Sequence, residues 1–323
     1  MSDIMELIEY LKKEEKVYIQ THNFPDHDSI ASAYGLQMLL KEYCIKADII
    51  YEGFIQRESL NKMIRLLEIE VHNYSDFNLT PEDKIIVVDG CKGNSNVNDL
   101  IGDEIAVIDH HEVNKPESVR FVDIRSDYGA CSTIIFSYFS ELGVKIPKNV
   151  ATALIIGINM DTSLLTRGVS QIDIEAYPDL YELANMPLVN SLLRNYIQTK
   201  DLSFYKQLVN NIIIKDSFAF YYFREGCNQN LLGMLGDFLL SIDEVDYVAL
   251  CAKNNEVINF SIRSENEKLN AAKTIQYVLD GIGFGGGHSD MAGGVIKDIS
   301  KFDEQALFER FYSCLTTVKN KGA

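Results

Sequence analysis

Short apolar segments alternate with longer segments of helical spacing in the first half of the chain. Four of the apolar segments are rich in β-branched residues and nearly continuous in apolar character: KVYIQ, ADIIY, KIIVVD and EIAVID. Such runs are typical of strands buried on both faces of a parallel sheet. Helical spacing occurs at 28–42 and 57–67, and GACSTIIFSYFSELG and KNVATALIIGINM predict two more helices. The alternation predicts an α/β fold with an open, mostly parallel sheet.

The pattern changes after about Pro187, and this change divides the chain. A polar segment of helical character, SLLRNYIQTKDLSFYKQL, precedes a second mixed region in which DYVALCAK and EVINFSIRS are predicted strands. A chain of 323 residues is also long for one core. We therefore predict a larger α/β domain over 1–187, a helical linker over 188–207 and a smaller α/β domain over 208–323.

Composition and charge restrict the class of protein. With 46% hydrophobic and 24% charged residues, the chain can bury substantial cores. A net charge of -17 argues against a long basic surface for duplex DNA or an anionic membrane, although a local site can still hold a small anion. The N-terminus predicts an amphipathic helix rather than a signal peptide, and no apolar run reaches the length of a membrane span. Six cysteines without a CxxC pair suit a reduced compartment, so we expect a cytoplasmic protein. A homodimer is compatible with the sequence.

Acids and histidines gather where the predicted elements end. They are His22, Asp26 and Asp28 after KVYIQ, Asp89 at the end of KIIVVD, Asp109, His110 and His111 at the end of EIAVID, and Asp161 at the end of LIIGINMD. A single acid at such a position is usually a cap or a turn residue. Five of the six histidines nevertheless lie in clusters, at positions 22, 27, 110, 111 and 288. Because open α/β sheets bind ligands at the carboxyl ends of their strands, we expect the acids to meet in one crevice.

Several carboxylates in one crevice repel one another unless cations compensate for their charge. Carboxylate and imidazole ligands without thiolate suit Mn²⁺ or Mg²⁺, and the nitrogen ligands favour Mn²⁺. A carboxylate such as Asp89 can bridge two ions about 3.5–4 Å apart. We therefore predict a centre of two Mn²⁺ ions, with Mg²⁺ as the alternative, and hydrolysis at phosphorus by a hydroxide that both ions activate.

Five motifs in order, HNFPDHD, VVDG, IDHH, NMDT and GFGGGH, resemble those of the DHH phosphoesterases with an appended DHHA1 domain. This group contains RecJ-like exonucleases, NrnA-type oligoribonuclease/pAp phosphatases and, more distantly, family II pyrophosphatases. The resemblance spans nearly the whole chain. It implies one metal held by His22, Asp26 and Asp89, and another held by Asp28, Asp89, His110 and Asp161. It also implies that His111 contacts the phosphate or a metal-bound ligand and that Asp109 orients the histidines.

The segments GIGFGGGHSDMAGG and SIRS provide the predicted substrate contacts of the second domain. A glycine cluster is by itself more often a turn than a ligand loop, but it also permits close approach and supplies N–H groups for an anion. In similar DHHA1 domains this loop and an arginine of an SxRS-like strand hold the substrate. The implied residues are Gly285, Gly286, Gly287, His288, Arg263 and Ser264. The alternative for Arg263 is a surface ion pair. Two domains joined by a helix would leave a cleft between the metals and these residues.

Two positions depart from the family pattern. His27 replaces the usual glycine between the two acids of the first motif. Three roles are open for it: a solvent-exposed residue without a function, a hydrogen-bond donor to the phosphate, or an additional metal ligand. We expect it to be exposed, because an imidazole between two ligating acids should point away from them. After Asp161 the chain reads TSLLTRG, whereas many NrnA-like proteins have a glycine and an aromatic residue there. Thr166 and Arg167 therefore either shape the pocket or cap a helix.

The predicted function is Mn²⁺-dependent hydrolysis of a small nucleotide. The expected substrates are a short single-stranded oligoribonucleotide cut from its end or 3'-phosphoadenosine 5'-phosphate (pAp), whose bases can stack on some of the 17 Tyr and 16 Phe. Hydrolysis of pyrophosphate or polyphosphate is the alternative, and it would need more Lys and Arg around the cleft. A nucleotide-sensing protein with a degenerate site is a third possibility. Such a protein would have lost ligands, and none is missing.

Overall fold

A computed structural model describes residues 3–94, 96–194, 197–266 and 268–321. The chain forms two compact units, Met1–Tyr196 and Ile197–Ala323. The segment predicted as a linker, 188–207, lies on either side of this division. Its role as a linker stays a prediction.

A six-stranded parallel sheet forms the centre of the first unit. Its strands are β1 (Val17–Gln20), β2 (Ala47–Tyr51), β3 (Val71–Asn73), β4 (Lys84–Val88), β5 (Asp103–Asp109) and β6 (Phe121–Ile124). They lie in the order β3-β2-β1-β4-β5-β6, and every neighbouring pair is parallel. The predicted α/β fold and its four buried strands are confirmed, whereas the edge strands β3 and β6 were not predicted.

Helices cover one face of this sheet. Those described in the first unit are α1 (Asp3–Leu11), α2 (His27–Glu42), α3 (Glu58–Leu67), α4 (Cys131–Leu142), α5 (Lys148–Asp161), α6 (Gln171–Leu183) and α7 (Met186–Arg194). Ile19 of β1 packs into the large core beneath the helices. Its neighbour Tyr18 belongs to a smaller core on the other face, together with residues of the connecting loops such as Cys91 and Val97. The alternation of burial along β1 therefore matches a strand covered on both sides.

The order in which strands are added to the sheet changes direction between β1 and β4, which are hydrogen-bonded parallel neighbours. After β1 the chain continues to β2 on one side, whereas β4 leads to β5 on the other side. A reversal of this kind leaves a crevice outside the carboxyl ends of the two central strands, and ligands of open α/β sheets bind there. The loops that follow β1, β4 and β5 all begin at this edge.

The second unit contains a mixed sheet. Its strands are β7 (Ile213–Lys215), β8 (Phe218–Phe223), β9 (Tyr247–Asn254), β10 (Val257–Ser264), β11 (Phe284–Gly287) and β12 (Met291–Ile296), in the order β11-β12-β10-β9-β8-β7. β8 and β9 are parallel, and the other neighbours are antiparallel. The helices are α8 (Leu202–Asn211), α9 (Gln229–Leu240), α10 (Ala271–Leu279) and α11 (Glu304–Lys321). The predicted second α/β region, with strands at DYVALCAK and EVINFSIRS, is confirmed.

Among the residues that the structure describes, none of the helices has both the length and the apolar character that crossing a bilayer requires.

Candidate metal centre

Three groups of histidine and aspartate side chains meet at the carboxyl edge of the parallel sheet. Within each group, one ligand atom per residue lies within 4.8 Å of the others. The groups are His22, Asp26 and Asp89; Asp28, His110 and Asp161; and Asp89, His110 and His111. All six predicted metal ligands are therefore brought together. Asp89 and His110 each belong to two groups, so the groups form one continuous centre.

His22 follows β1 and points its Nε2 atom at two carboxylates. Its Nδ1 lies 2.9 Å from the carbonyl oxygen of Asn23, which can only accept, so Nδ1 carries a proton and Nε2 is the nitrogen available to a ligand. Nε2 lies 3.6 Å from Asp26 and 3.8 Å from Asp89. Burial lowers the pKa of His22, but the two carboxylates outweigh this effect and raise it to about 10. In the absence of a cation, a proton therefore occupies the position between these groups.

Asp26 caps the helix that follows. Its Oδ1 accepts the backbone N–H of Ser29, and the Ser29 hydroxyl accepts the backbone N–H of Asp26. This reciprocal capping box fixes the carboxylate at the start of α2. In the segment PDHDS, Asp26 therefore both caps α2 and faces His22.

Asp28 is fully buried and is held by a second helix. Its Oδ2 accepts the backbone N–H of Cys131 at 2.7 Å, and its Oδ1 accepts the backbone N–H of Ser132 at 3.0 Å. These are the first two residues of α4, whose N-terminal N–H groups favour a negative charge. The two N–H groups were not predicted, because nothing in the sequence links position 28 to position 131.

Close packing around Asp28 depends on a glycine of α5. A Cβ atom at Gly157 would overlap the hydroxyl of Ser132 and would lie 2.6 Å from Oδ1 of Asp28. Burial raises the pKa of Asp28 well above its usual range, and the charges of Asp89 and Asp161 add to this shift. A bound cation would offset the same repulsion.

Asp89 follows β4 in a left-handed backbone conformation, with φ of 57°. Aspartate is among the few residues other than glycine that adopt this conformation readily. The backbone N–H of Asp89 donates to the carbonyl of Ile108 on β5 at 2.9 Å, which ties the turn to the neighbouring strand. The residue is 2% exposed, so its carboxylate lies inside the crevice.

His110 lies between two carboxylates. Its Nδ1 is 3.2 Å from the carbonyl of Tyr128, and its Nε2 is 3.4 Å from Asp89 and 3.2 Å from Asp161. Burial lowers the pKa of His110, but its contacts with Asp161 and Asp89 raise it to about 12. Burial also raises the pKa of Asp161, at the end of α5, to about 6.

Asp109 binds the two histidines that follow it. Its Oδ1 accepts the backbone N–H groups of His110 at 2.8 Å and His111 at 3.2 Å, and it lies 2.7 Å from Nδ1 of His111. Burial raises the pKa of Asp109, but the hydrogen bond and charge of His111 outweigh it, so the pKa lies below its usual range. These contacts are those expected of an orienting residue.

The centre fits divalent cations. Oδ1 of Asp89, Nε2 of His110 and Oδ2 of Asp109 are buried and make no hydrogen bond to a described residue. Buried polar atoms without partners are costly, and a cation would satisfy those that face it. The ligand groups contain carboxylate oxygen and imidazole nitrogen but no thiolate, a donor set that suits Mn²⁺ or Mg²⁺.

The expectation that His27 is exposed is wrong. Its side chain is 1% exposed, and both ring nitrogens are buried without a hydrogen-bond partner among the described residues. His27 is the first residue of α2, and the first ten residues of this helix are all buried. A helix covered on all sides leaves no solvent face for its first residue. Burial, together with the charge of Arg57, lowers the pKa of His27 to about 4.

The chain turns sharply after Asp161. Ser163, Leu164 and Leu165 have φ values of 48°, 63° and 61°, which is strained for residues with side chains. The backbone N–H groups of Thr166 and Arg167 both donate to the carbonyl of Thr162 at 3.0 Å. These two bonds close the turn TSLLTRG directly after α5, and a role of Thr166 and Arg167 in shaping the pocket stays a prediction.

In the second unit, Arg263 forms an ion pair. Its Nε donates to Asp237 of α9 at 2.6 Å, and its Nη1 donates to the hydroxyl of Ser261 at 3.2 Å. A Cβ atom at Gly233 would lie 2.8 Å from Nη2, so glycine lets the arginine lie against α9. The ion-pair alternative is therefore present in the structure, and a role in substrate binding stays a prediction. The GxxG spacing in NLLGMLGDF was the available signal for this contact.

The other predicted substrate residues lie near Arg263. In the sheet Arg263 is opposite Met291 of β12, whose carbonyl accepts the backbone N–H of His288 at 2.7 Å. His288 is exposed and follows Gly285, Gly286 and Gly287, which form most of β11. The hydroxyl of Ser264 donates to the carbonyl of Leu269 and is buried, so this group already serves the fold.

Relatives of the chain carry names of two kinds. An uncharacterized protein of Methanocaldococcus jannaschii is 30% identical over 302 residues, which are 92% of this chain and 62% of that protein. A probable manganese-dependent inorganic pyrophosphatase of Streptococcus thermophilus is 27% identical over 177 residues, which are 54% of this chain and 56% of that protein. The chain thus spans about half to three-fifths of the length of the curated relatives that it matches.

A solved structure shares the fold. The exopolyphosphatase-related protein from Bacteroides fragilis superposes with a TM-score of 0.83 and 18% identity, covering 98% of this chain and 97% of that chain. The DHH family, N-terminal domain, matches residues 16–158, and the DHHA1 domain matches residues 215–314. These two matches, with the five motifs in order, show that the chain belongs to the DHH family and carries a DHHA1 domain.

Proposed function

We propose that the protein is a metal-dependent phosphohydrolase that acts on small nucleotides, either short oligoribonucleotides or pAp. The observation that carries this proposal is the continuous centre in which Asp89 and His110 each belong to two ligand groups. Its donor set and its buried, unpartnered oxygen and nitrogen atoms suit two divalent cations. The name of the Streptococcus thermophilus relative supports Mn²⁺ as the preferred ion.

His22, Asp26 and Asp89 would hold one cation, and Asp28, Asp89, His110 and Asp161 would hold the other. When bound, the cations would supply an activated water and neutralise the charge of a phosphoryl group. The protein fixes this geometry before substrate arrives, because Asp26 caps α2, Asp28 is held by α4, and Asp89 is tied to β5.

His111 is the residue we propose for contact with the phosphate. Its side chain is one-third exposed, in contrast to the buried Asp109 that orients it. Because Asp109 holds Nδ1 and so fixes the ring, we propose Nε2 as the atom that contacts a phosphoryl oxygen or a leaving group. His111 and Asp109 would thus act as a pair, one contacting substrate and the other fixing the ring.

Pyrophosphate is the second candidate substrate, favoured by the name of the pyrophosphatase relative. Such a compact polyanion requires many cationic groups close to the metals. Two candidates in the first unit are already paired, since Lys92 lies 2.7 Å from Glu104 and Arg125 lies 2.7 Å from Asp123. The overall charge of -17 adds to this argument, so we favour a nucleotide with fewer charges per unit of surface.

A substrate panel tests the proposal. The purified protein with Mn²⁺ is assayed on pAp, a dinucleotide, a longer RNA, a cyclic dinucleotide, pyrophosphate and polyphosphate. We expect the highest kcat/KM on pAp or the dinucleotide, and no activity after chelation. Pyrophosphate turnover that exceeds turnover of every nucleotide would overturn the nucleotide proposal in favour of the second candidate.

A further inference from the structure

Two aromatic side chains remain exposed next to the metal centre. Phe24 is 46% exposed and Phe54 is 63% exposed. Their rings contact each other edge to face, with centroids 5.3 Å apart and an interplanar angle of 83°. Single exposed apolar residues are ordinary, but two phenylalanines in contact beside an acidic site form a defined apolar surface.

The backbone holds Phe24 in place. Its φ is 55°, a left-handed conformation that is strained for a large side chain. Its N–H donates to the carbonyl of Glu52 at 2.8 Å, which ties the first motif to the loop after β2. The ring also lies on the backbone of Gly53, where a Cβ atom would be 2.7 Å from it. A strained residue that is anchored from two sides keeps its ring at one position.

This position is close to the ligands. Phe24 lies two residues after His22 and two residues before Asp26, so its Cα is within about 7 Å of the Cα of each. If a phosphate of the substrate is bound at the metal centre, the base that is joined to it through ribose would lie beside the surface formed by Phe24 and Phe54. Aromatic rings bind every base through its π-face, whereas inorganic polyphosphates have no apolar part to offer.

We propose that Phe24 and Phe54 form the surface on which the nucleobase of the substrate stacks, and that this pair selects nucleotides over inorganic phosphates. The inference rests on the proposed function and specifies its substrate class. Anionic lipid is a poorer occupant of the same surface, because the acidic centre and the net charge of -17 repel it. Phe24 and Phe54 would determine substrate specificity, because the metal ligands alone recognise only the phosphate and not the base.

The test compares two substrates that differ only in the base. The substrates are pAp and the same ribose bisphosphate with a methyl group in place of adenine. The variants are Phe54→Ala, Phe54→Leu, Phe54→Trp and Phe24→Leu, and the matched control is Tyr181→Ala, an aromatic residue of α6 that is 53% exposed. Thermal melting confirms that each variant is folded.

We expect Phe54→Ala to lower kcat/KM for pAp about tenfold, mainly through KM, in line with the loss of one stacked base. Activity on the base-less substrate should be unchanged, Phe54→Leu should resemble Phe54→Ala, and Phe54→Trp should restore use of pAp. Phe24→Leu should show the same selective loss, and Tyr181→Ala no loss. Equal losses on both substrates, or no effect of Phe54→Ala on pAp, would overturn the inference. Failure of the proposed function has a different signature, namely wild-type protein that hydrolyses no nucleotide.

Discussion

Oδ1 of Asp109 lies 2.7 Å from Nδ1 of His111 and also accepts its backbone N–H, so a single carboxylate oxygen fixes both the ring and the main chain of this histidine. The arrangement sets the tautomer of His111, because a carboxylate with a lowered pKa accepts the Nδ1 proton. The ring of His111 is therefore held in one orientation, with Nε2 always on the side away from Asp109.

Replacement of Asp109 by Asn should therefore impair catalysis more than binding. The amide is a weaker acceptor than the carboxylate, and its NH2 group cannot accept the histidine protons. We expect kcat to fall about 10- to 100-fold while folding is retained. Steady-state kinetics and a melting curve check this. Unchanged kcat in a folded Asp109→Asn protein would show that the orientation of His111 does not matter for turnover.

Asp89 belongs to two ligand groups, so its loss should dismantle the whole centre. We expect Asp89→Ala to abolish turnover and to reduce bound Mn²⁺, measured by activity and by metal analysis of the purified protein. Asp127→Ala, which removes an exposed acid of the same unit, is the control and should change neither quantity. Full activity and full metal content in Asp89→Ala would rule out the two-metal arrangement.

Gly157 should be intolerant of a methyl group. A Cβ atom there would overlap Ser132 and Asp28, and overpacking of this kind costs about 1–3 kcal/mol of unfolding free energy. We expect a lower Tm and weaker Mn²⁺ binding for Gly157→Ala. Adding Ser132→Ala removes one of the two contacts and should recover part of the stability, since neighbouring substitutions are coupled. A Gly157→Ala protein as stable as wild type would show that α5 can move away from Asp28.

Binding of Mn²⁺ should release protons. In the metal-free protein at pH 7, His22 with a pKa of about 10 and His110 with a pKa of about 12 are both protonated. Ligation requires neutral imidazole and ionised carboxylate, and the pKa of Asp28 is also raised well above its usual range. We therefore expect release of at least two protons on saturation and weaker binding as the pH falls. Calorimetric titrations in two buffers with different ionisation enthalpies measure this number. Identical binding enthalpies in both buffers would mean that no proton leaves.

Charge should also set a length preference. A chain with a net charge of -17 repels a long polyanion, so we expect kcat/KM to fall as an RNA is lengthened from a dinucleotide to some tens of residues. Added salt should narrow this difference because it screens the repulsion. The measurement is a length series at low and moderate ionic strength. A rate that rises with length, or binding of long RNA that collapses in salt, would indicate an extended basic groove.

The strands and ligands could be predicted because their signals are local. KIIVVD and EIAVID are buried on both faces, which makes them continuously apolar, and each ends in an acid of the centre, Asp89 or Asp109. The edge strands β3 and β6 are three and four residues long and only partly buried, so their patterns are too short to separate from loops.

Contacts between distant segments could not be predicted. Asp28 is held by N–H groups more than a hundred positions away, and the burial of His27 follows from the helices packed around α2. The pairing of Arg263 with Asp237 likewise joins a strand to a helix. In each case the residue type was informative, whereas its environment depended on tertiary packing.

The left-handed conformation of Asp89 restricts the residue types that this position tolerates. Glycine, asparagine and aspartate are the residues that adopt such a φ with little strain, and of these three only aspartate offers a charged oxygen to a cation. Related sequences with asparagine or glycine there should therefore keep the turn and the fold while losing the centre. A substitution at this single residue distinguishes inactive relatives that still fold from active ones.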